Sequence, residues 1–299
     1  DGRGIKPFVE TLIYYYCCLN FNKKFDSTGI RLAGELLLPG ETEEPIGRSK
    51  YEIKPEELPN VTKSGFRLPE NDEDSSKYYR TEININRREF VNYMKENAAT
   101  PAILLSLWVS DTILTMYPEV DKPVVCSMAV DLRKELGKDH THKNFVGSMY
   151  LPYTEETRKL ELYEKAKLYR DLMQKQKEKN SIKNMANTLI GLTEKLEQLS
   201  TIHEKKQVLS FLDDLCIDTY VISYLGQMEL GGCEKFVDSI HLYNSGVKGL
   251  RINMISAGDY ISVDVLQSFK STKFIETFFE GLNETGIEFN VSELTEFET

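Results

Sequence analysis

At 299 residues the chain can hold one large domain or two subdomains around a sizeable core, and its 40% hydrophobic and 28% charged residues are ordinary proportions for a soluble globular protein. Its 47 acidic against 37 basic side chains, a formal net charge of -10, argue against a phosphate backbone as the main partner, because nucleic-acid binders concentrate Lys and Arg. That balance still permits a local basic patch for a phosphorylated cofactor. No run of about 18 apolar residues exists to span a membrane: the best stretch, Ala98 to Met116, is broken by Thr100, Pro101, Ser106, Ser110 and Asp111.

The chain opens with neither an initiator Met nor a signal peptide, and the expectation is a polypeptide that has been cut, processed or only partly presented. Asp1-Gly2-Arg3-Gly4 leads into an apolar helix from about Ile5 to Leu19, with Pro7 in its first turn, where a missing N–H costs nothing. From about Asn22 to Ser76 the chain is rich in Gly, Pro and acid, and a connection of that length reads as functional or mobile. A subdomain boundary is placed within it, so that residues 1–75 end one subdomain and 76–299 form the next.

Tyr78 to Ile85 alternates like a strand; Arg87 to Asn97 has helical spacing; Thr100 and Pro101 read as the N-cap and first residue of a helix that Pro118 ends. Val124 to Val130 reads as a buried strand, which makes the unit from Tyr78 to Val130 a strand–helices–strand crossover with parallel strands. Phe145 to Leu151 is a further strand. From Thr154 to about Lys179 runs an amphipathic stretch whose apolar side is Leu160, Leu162, Tyr163, Ala166 and Tyr169, followed by a helix at Ile182 to Leu199. The run Gln174 to Lys179 reads either as a solvated face or kink between helices or as a basic tail. Strands are expected at Thr219–Tyr224, Phe236–Tyr243, Leu250–Ile255 and Tyr260–Leu266, the last two joined at Ala257-Gly258-Asp259, and a final helix at Thr272–Leu282 turns Phe274, Ile275, Phe278 and Phe279 inward.

The five cysteines (Cys17, Cys18, Cys126, Cys216, Cys233) are odd in number and scattered, which fits free thiols in a reducing cytoplasm better than a disulfide framework or a zinc site. Sequons at Asn60, Asn283 and Asn290 carry no weight. His140 and His142 sit in a polar loop, where an H-x-H pair can bind metal but lacks a supporting carboxylate or Cys cluster; solvated loop is the plainer reading. His203 lies at a charged helix start and His241 in a half-buried strand, neither beside a G-x-S-x-G nucleophile, and no P-loop or G-x-G-x-x-G follows a strand.

Four segments stand in a suggestive order: Asp1-Gly2 before a helix; Val130-Asp131-Leu132-Arg133 followed by Asn144-Phe145-Val146-Gly147; Ile222-Ser223-Tyr224-Leu225-Gly226; and Asp264-Val265-Leu266-Gln267-Ser268-Phe269. Together they resemble the superfamily of chloramphenicol acetyltransferase, nonribosomal-peptide condensation domains, alcohol acetyltransferases and wax-ester synthases. Each segment alone is short; order and spacing carry the resemblance, which runs over nearly the whole chain. It implies an α/β fold of two subdomains, each with a mixed sheet and flanking helices, around a tunnel, the first subdomain being incomplete here.

The resemblance also implies chemistry. The family signature is H-H-x-x-x-D-G, whose second His is the general base, suited by an imidazole that exchanges protons near neutral pH. Asp1-Gly2 would be its last two residues, placing that His four residues before Asp1, in a missing segment of the same protein. The motif's Asp would pair with Arg133, and its Gly would allow close backbone approach. Ser223 would contact the oxyanion, although Tyr224 stands where the family's usual segment has Asn. Asn144, Tyr224, Gly226, Gln267 and Ser268 would line the tunnel. The plain alternatives stay open: a terminal turn at Asp1-Gly2, a surface Arg133, a strand hydroxyl at Ser223, and a strand start shaped by Asn144 and Gly147.

The implied activity is acyl transfer from a CoA or carrier-protein (phosphopantetheine) thioester to a hydroxyl or amine of a small acceptor, with no tightly bound cofactor and no metal, this chain alone being inactive. Two rivals stand beside it: a non-catalytic relative that binds a carrier domain or other partner, and a helical interaction protein built on the charged helices from 154 to 214.

Overall fold

Along Tyr78–Asn86 (β1) half-buried and buried residues alternate without a break, which only a strand with one face in a core produces. In the computed structural model, which describes residues 1–44, 50–54, 61–69, 77–244 and 249–297, that strand belongs to one mixed sheet. The others are Val124–Asp131 (β2), Val146–Tyr153 (β3), Tyr220–Gln227 (β4), Leu250–Ala257 (β5), Tyr260–Gln267 (β6), Phe289–Val291 (β7) and Thr295–Phe297 (β8). Their order is β3-β2-β4-β5-β6-β1-β7, with β8 also on β1; β2, β4 and β5 are mutually parallel, and the other pairs are antiparallel. The helical-protein reading is thereby set aside.

The helices are Gly2–Asn20 (α1), Arg87–Glu96 (α2), Pro101–Met116 (α3), Glu155–Arg158 (α4), Leu162–Gln176 (α5), Lys179–Glu197 (α6), Ile202–Leu215 (α7) and Lys273–Glu284 (α8). The main core lies on one face of the sheet, where Ile83, Ile85, Met128, Ile222, Met254 and Val263 meet Phe90, Leu104, Tyr169, Ile182 and Phe278 from α2, α3, α5, α6 and α8. Buried on nearly every side, α3 accounts for the apolar stretch from Ala98; Thr100 caps it through Ile103 N, as its sequence implies. Among the described residues no single helix is long and apolar enough to cross a membrane. The expected crossover is parallel in sense, but β4, β5 and β6 lie between β1 and β2.

The opposite face carries a smaller core in which Tyr14 and Cys17 of α1 pack with Ile30, Met228, Leu230, Cys233, Ile255 and Ala257. Here α1 inverts the usual arrangement. Its inward side buries Lys6 and Glu10, paired at 3.0 Å, while Ile5, Phe8, Leu12, Tyr16 and Leu19 are exposed, the last by 81%. The helix also begins earlier than expected, so Pro7 lies in the second turn rather than the first and withholds a donor from the Arg3 carbonyl.

The structure bears on four further expectations. The connection from Asn22 to Ser76 is fastened at several of its described points, while Leu36, Leu37 and Leu38 stand exposed. The side-chain amides of Asn187 and Asn180, two turns apart on α6, exchange hydrogen bonds with the backbone of Tyr51 and Lys54, and Phe66 accepts from Thr219 Oγ1 at 2.6 Å. Its parts 45–49, 55–60 and 70–76, with the Asn60 sequon and the proposed boundary, lie outside the described residues. Residues 236–243 form no strand: Asp264 and Asn253 side chains bond their backbone instead of a neighbouring ladder. Leu160 and Tyr163 are exposed by 37% and 53%, and α5 turns Ala166, Tyr169 and Gln176 inward. The polar run at Gln174 is the expected kink rather than a tail: α5 ends at Gln176 and α6 starts at Lys179, and the buried Gln176 closes its amide on the Tyr150 backbone, capping the edge strand β3. All five cysteines are free.

Candidate functional site

In open α/β sheets ligands gather beyond the carboxyl ends of the parallel strands. At that end of β2 and β4 the N-terminus of α1 is anchored. Asp1 is the N-cap, a role its short acceptor side chain suits, and its Oδ1 accepts from Gly4 N at 2.7 Å. After β2, Asp131 Oδ1 accepts from Arg133 N at 3.1 Å, a tight local turn that swings the Arg133 side chain back inward.

Arg133 then spends its whole fork on this junction. Nη2 donates to both carboxylate oxygens of Asp1 at 3.0 and 2.9 Å and to Lys143 O at 2.5 Å; Nη1 donates to Asp131 Oδ1 at 2.7 Å, and Nε to Thr141 O at 2.8 Å. The Arg133 and Asp1 side chains are only 3% and 6% exposed. Asp1 Oδ2 also accepts from Phe145 N at 2.7 Å. One carboxylate therefore ties the start of α1 to the ends of β2 and β3. The ion pair expected between Asp1 and Arg133 is present at 2.9 Å, across 132 residues of chain.

Gly2 faces Leu225: an added Cβ would stand 2.8 Å from Leu225 Cδ1, the far end of a flexible side chain. The tighter approach is at Gly4, where a Cβ would fall 2.0 Å from the His142 carbonyl oxygen. His142 is exposed, as a solvated loop residue would be, yet its backbone packs on this helix end, with Nδ1 3.2 Å from Gly4 O and its backbone N–H donating to Glu41 O at 2.9 Å. Sequence reasoning missed Gly4, Glu41 and the Thr141 and Lys143 carbonyls; the second glycine of Asp1-Gly2-Arg3-Gly4 was the available signal.

Ser223 lies on β4 two residues before Leu225, and so on the same face, opposite the main core. It is half-buried, and its hydroxyl makes no hydrogen bond to the described residues. Tyr224 points the other way and joins the main core, where burial raises its phenol above the ordinary range. The two therefore cannot line one cavity together. Gly226 has φ +87° in the bulge that ends β4, and a Cβ there would meet open space. Asn144 is exposed next to Phe145.

Gln267 and Ser268 stand apart. Leu250 pairs with both Tyr220 and Gln267, which puts Gln267 beside the start of β4, at the opposite end from Gly226. Fully buried, Gln267 donates to Phe269 O and Ser271 O at 2.6 and 2.8 Å, while Ser268 Oγ accepts from Gly249 N at 2.9 Å. Both fasten a turn and are withdrawn as tunnel residues of this site. The structure thus gathers Asp1, Gly2, Arg133, Asn144 and Gly226 around one end of the sheet, sets Ser223 farther back along β4 on the face of Leu225, and leaves out Tyr224, Gln267 and Ser268. Among the described residues no group of three or more His, Cys, Asp or Glu side chains could hold a metal ion.

No family model matches the chain and no curated protein matches it in sequence. Solved structures do match in fold. The epimerization domain from the third module of tyrocidine synthetase B has a TM-score of 0.54 at 11% identity, over 95% of this chain and 65% of that one. The TRI3 trichothecene 15-O-acetyltransferase of Fusarium sporotrichioides has 0.51 at 11%, over 75% and 49%. TRI101 of F. graminearum, complexed with coenzyme A and T-2 mycotoxin, has 0.50 at 12%, over 97% and 64%. This chain thus spans about half to two thirds of the length of those structures. It has the mixed α/β fold of the condensation-domain and chloramphenicol-acetyltransferase-like group.

Proposed function

We propose that the protein containing this chain transfers an acyl group from a coenzyme A or carrier-protein thioester to a hydroxyl or amine of a small acceptor. The observation that carries this reading is the buried Asp1–Arg133 clamp, which fixes the first turn of α1 against the carboxyl ends of β2 and β4. A His four residues before Asp1 would be held by that clamp in a single orientation, as a general base must be to take the acceptor's proton when the acceptor attacks the thioester carbonyl. The positive end of α1 lies at the same place and favours negative charge developing on that carbonyl oxygen. Ser223, with a hydroxyl not engaged by the described residues, is the side chain proposed to donate to it. Two of the structural likenesses are to an acetyltransferase and to a protein complexed with coenzyme A, which supports a thioester donor without naming one.

The test is acceptor-dependent release of thiol from short and long acyl-coenzyme A, and from an acylated carrier protein, by this chain and by the chain carrying its preceding residues. The expected result is no acceptor-dependent release by this chain and turnover by the longer one, lost on replacing the His before Asp1 with Ala. Turnover that survives that replacement removes the assignment.

A further inference from the structure

The face of the sheet opposite the main core holds a polar cluster that the proposed transfer does not use. Asp264 on β6 is fully buried. Its Oδ2 accepts from Leu242 N at 2.6 Å, and its Oδ1 lies 2.6 Å from His241 Nδ1. The other ring nitrogen, Nε2, is 3.0 Å from Ser239 Oγ. Asp264 therefore fixes both the rotation and the tautomer of the imidazole, with Nδ1 carrying the proton and Nε2 free to accept from the hydroxyl. Burial pushes the Asp264 carboxyl up from the ordinary aspartate range, and the Leu242 N–H and the imidazole pull it back. Glu82 on β1 also faces the ring, its Oε2 4.0 Å from Nε2; its other oxygen accepts from Tyr243 at 2.5 Å and pairs with Arg80 at 3.4 Å. Ser239 and His241 are half-buried, on an irregular segment at the surface.

We propose that Ser239, His241 and Asp264 form a nucleophile, a general base and its positioning residue, a second acyl-handling centre that acts on small activated esters. The arrangement matches by role the serine–histidine–aspartate constellation found on unrelated folds. Ser239 Oγ attacks the ester carbonyl carbon, forming the new O–C bond, while its proton passes to His241 Nε2. The tetrahedral adduct collapses, the bond to the leaving oxygen breaks, and Nε2 returns the proton to the departing alcohol. Water repeats the sequence on the acyl-serine, releasing the carboxylic acid and restoring the hydroxyl. Ser239, His241 and Asp264 all lie inside this chain, so success or failure here is independent of the His proposed before Asp1.

The experiment treats the full 299-residue chain with a fluorophosphonate probe, maps the adduct by peptide mass spectrometry and follows hydrolysis of p-nitrophenyl acetate. One phosphonylated residue, Ser239, is expected, with label and ester hydrolysis both absent in Ser239→Ala. His241→Gln is expected to slow labelling by roughly 10²–10⁴-fold, the usual worth of a general base. Asp264→Asn, which takes away the carboxylate that orients the imidazole, should slow labelling while leaving Ser239 the labelled residue, with melting curves reporting that the variants are folded. A histidine that only latches this segment to the sheet would give no adduct. An unlabelled Ser239 in the folded parent, or undiminished labelling in folded His241→Gln, overturns the proposal.

Discussion

Truncating Arg133 to alanine would leave the Asp1 carboxylate 6% exposed without its cation and the Thr141 and Lys143 carbonyls without a donor. Breaking a buried pair from one side costs about 3–5 kcal/mol, and Arg133→Ala is expected to lose that much in denaturant unfolding. Arg133→Lys should recover only part, because a single ammonium cannot reproduce a fork reaching five acceptor contacts. Equal stability of Lys and Arg at 133 would show that charge alone matters there. Ser223 carries the opposite expectation. With no hydrogen bond to the described residues, its hydroxyl contributes little to stability, so on the proposed function Ser223→Ala in the chain carrying its preceding residues should lower turnover by roughly 10²–10³-fold with an unchanged melting temperature. Parallel loss of both would make the hydroxyl structural, and unchanged kinetics would remove it from the site. Asp1 and Arg133 can be paired from sequence because the Asp-Gly and Asp-Leu-Arg segments keep their order across the chain. Gln267 and Ser268 mislead because they stand at the end of a strand in the same order, yet a glutamine there serves the neighbouring turn through Phe269 O and Ser271 O.

At the scale of elements, the start of α1 separates two glycines that look alike in sequence. A methyl at Gly2 would press on a rotatable Leu225 methyl, whereas at Gly4 it would collide with the His142 backbone carbonyl. Gly2→Ala is therefore expected to be close to neutral, its helix propensity gain of up to about 1 kcal/mol offset by that contact. Gly4→Ala should be clearly destabilising and should loosen the loop of His142; thermal melts of the two variants decide it. Most helices and strands are legible because their apolar spacing is regular: Ile83 and Ile85 alternate into the core, and Thr100-Pro101 announces a helix start. Residues 236–243 are rich in strand-forming side chains as well, yet form no strand, because the backbone partners are side chains that sequence cannot place, Asp264 and Asn253. The strap on α6 was hidden for the same reason. Its tether is a pair of asparagine amides at helical spacing bonded to backbone more than 120 residues away. Asn187→Ala should free that strap and raise cleavage near Tyr51 in limited proteolysis, leaving the core helices intact.

For the whole molecule, the inverted α1 leaves Ile5, Phe8, Leu12, Tyr16 and Leu19 as one exposed apolar stripe. A stripe of this kind promotes association. By itself the chain is expected to self-associate in sedimentation, and Phe8→Glu with Leu12→Lys, an i,i+4 pair on the same face, should return it to a monomer without changing its secondary structure. A monomeric parent would show that the stripe is tolerated in water. The sheet order has a different consequence, one of timing. Among the described residues β1 pairs only with β6, β7 and β8, strands from the last part of the chain. At ordinary rates of synthesis Ile83 and Ile85 must wait on the order of ten to thirty seconds before any strand exists to cover their edges. The β1 ladder cannot form until β6 has been made, about 170 residues later, whereas β2, β3 and β4 can pair before then. Polypeptides stopped after Asp259 should therefore give no cooperative unfolding transition, and the 299-residue chain should refold slowly, as architectures dominated by distant contacts do.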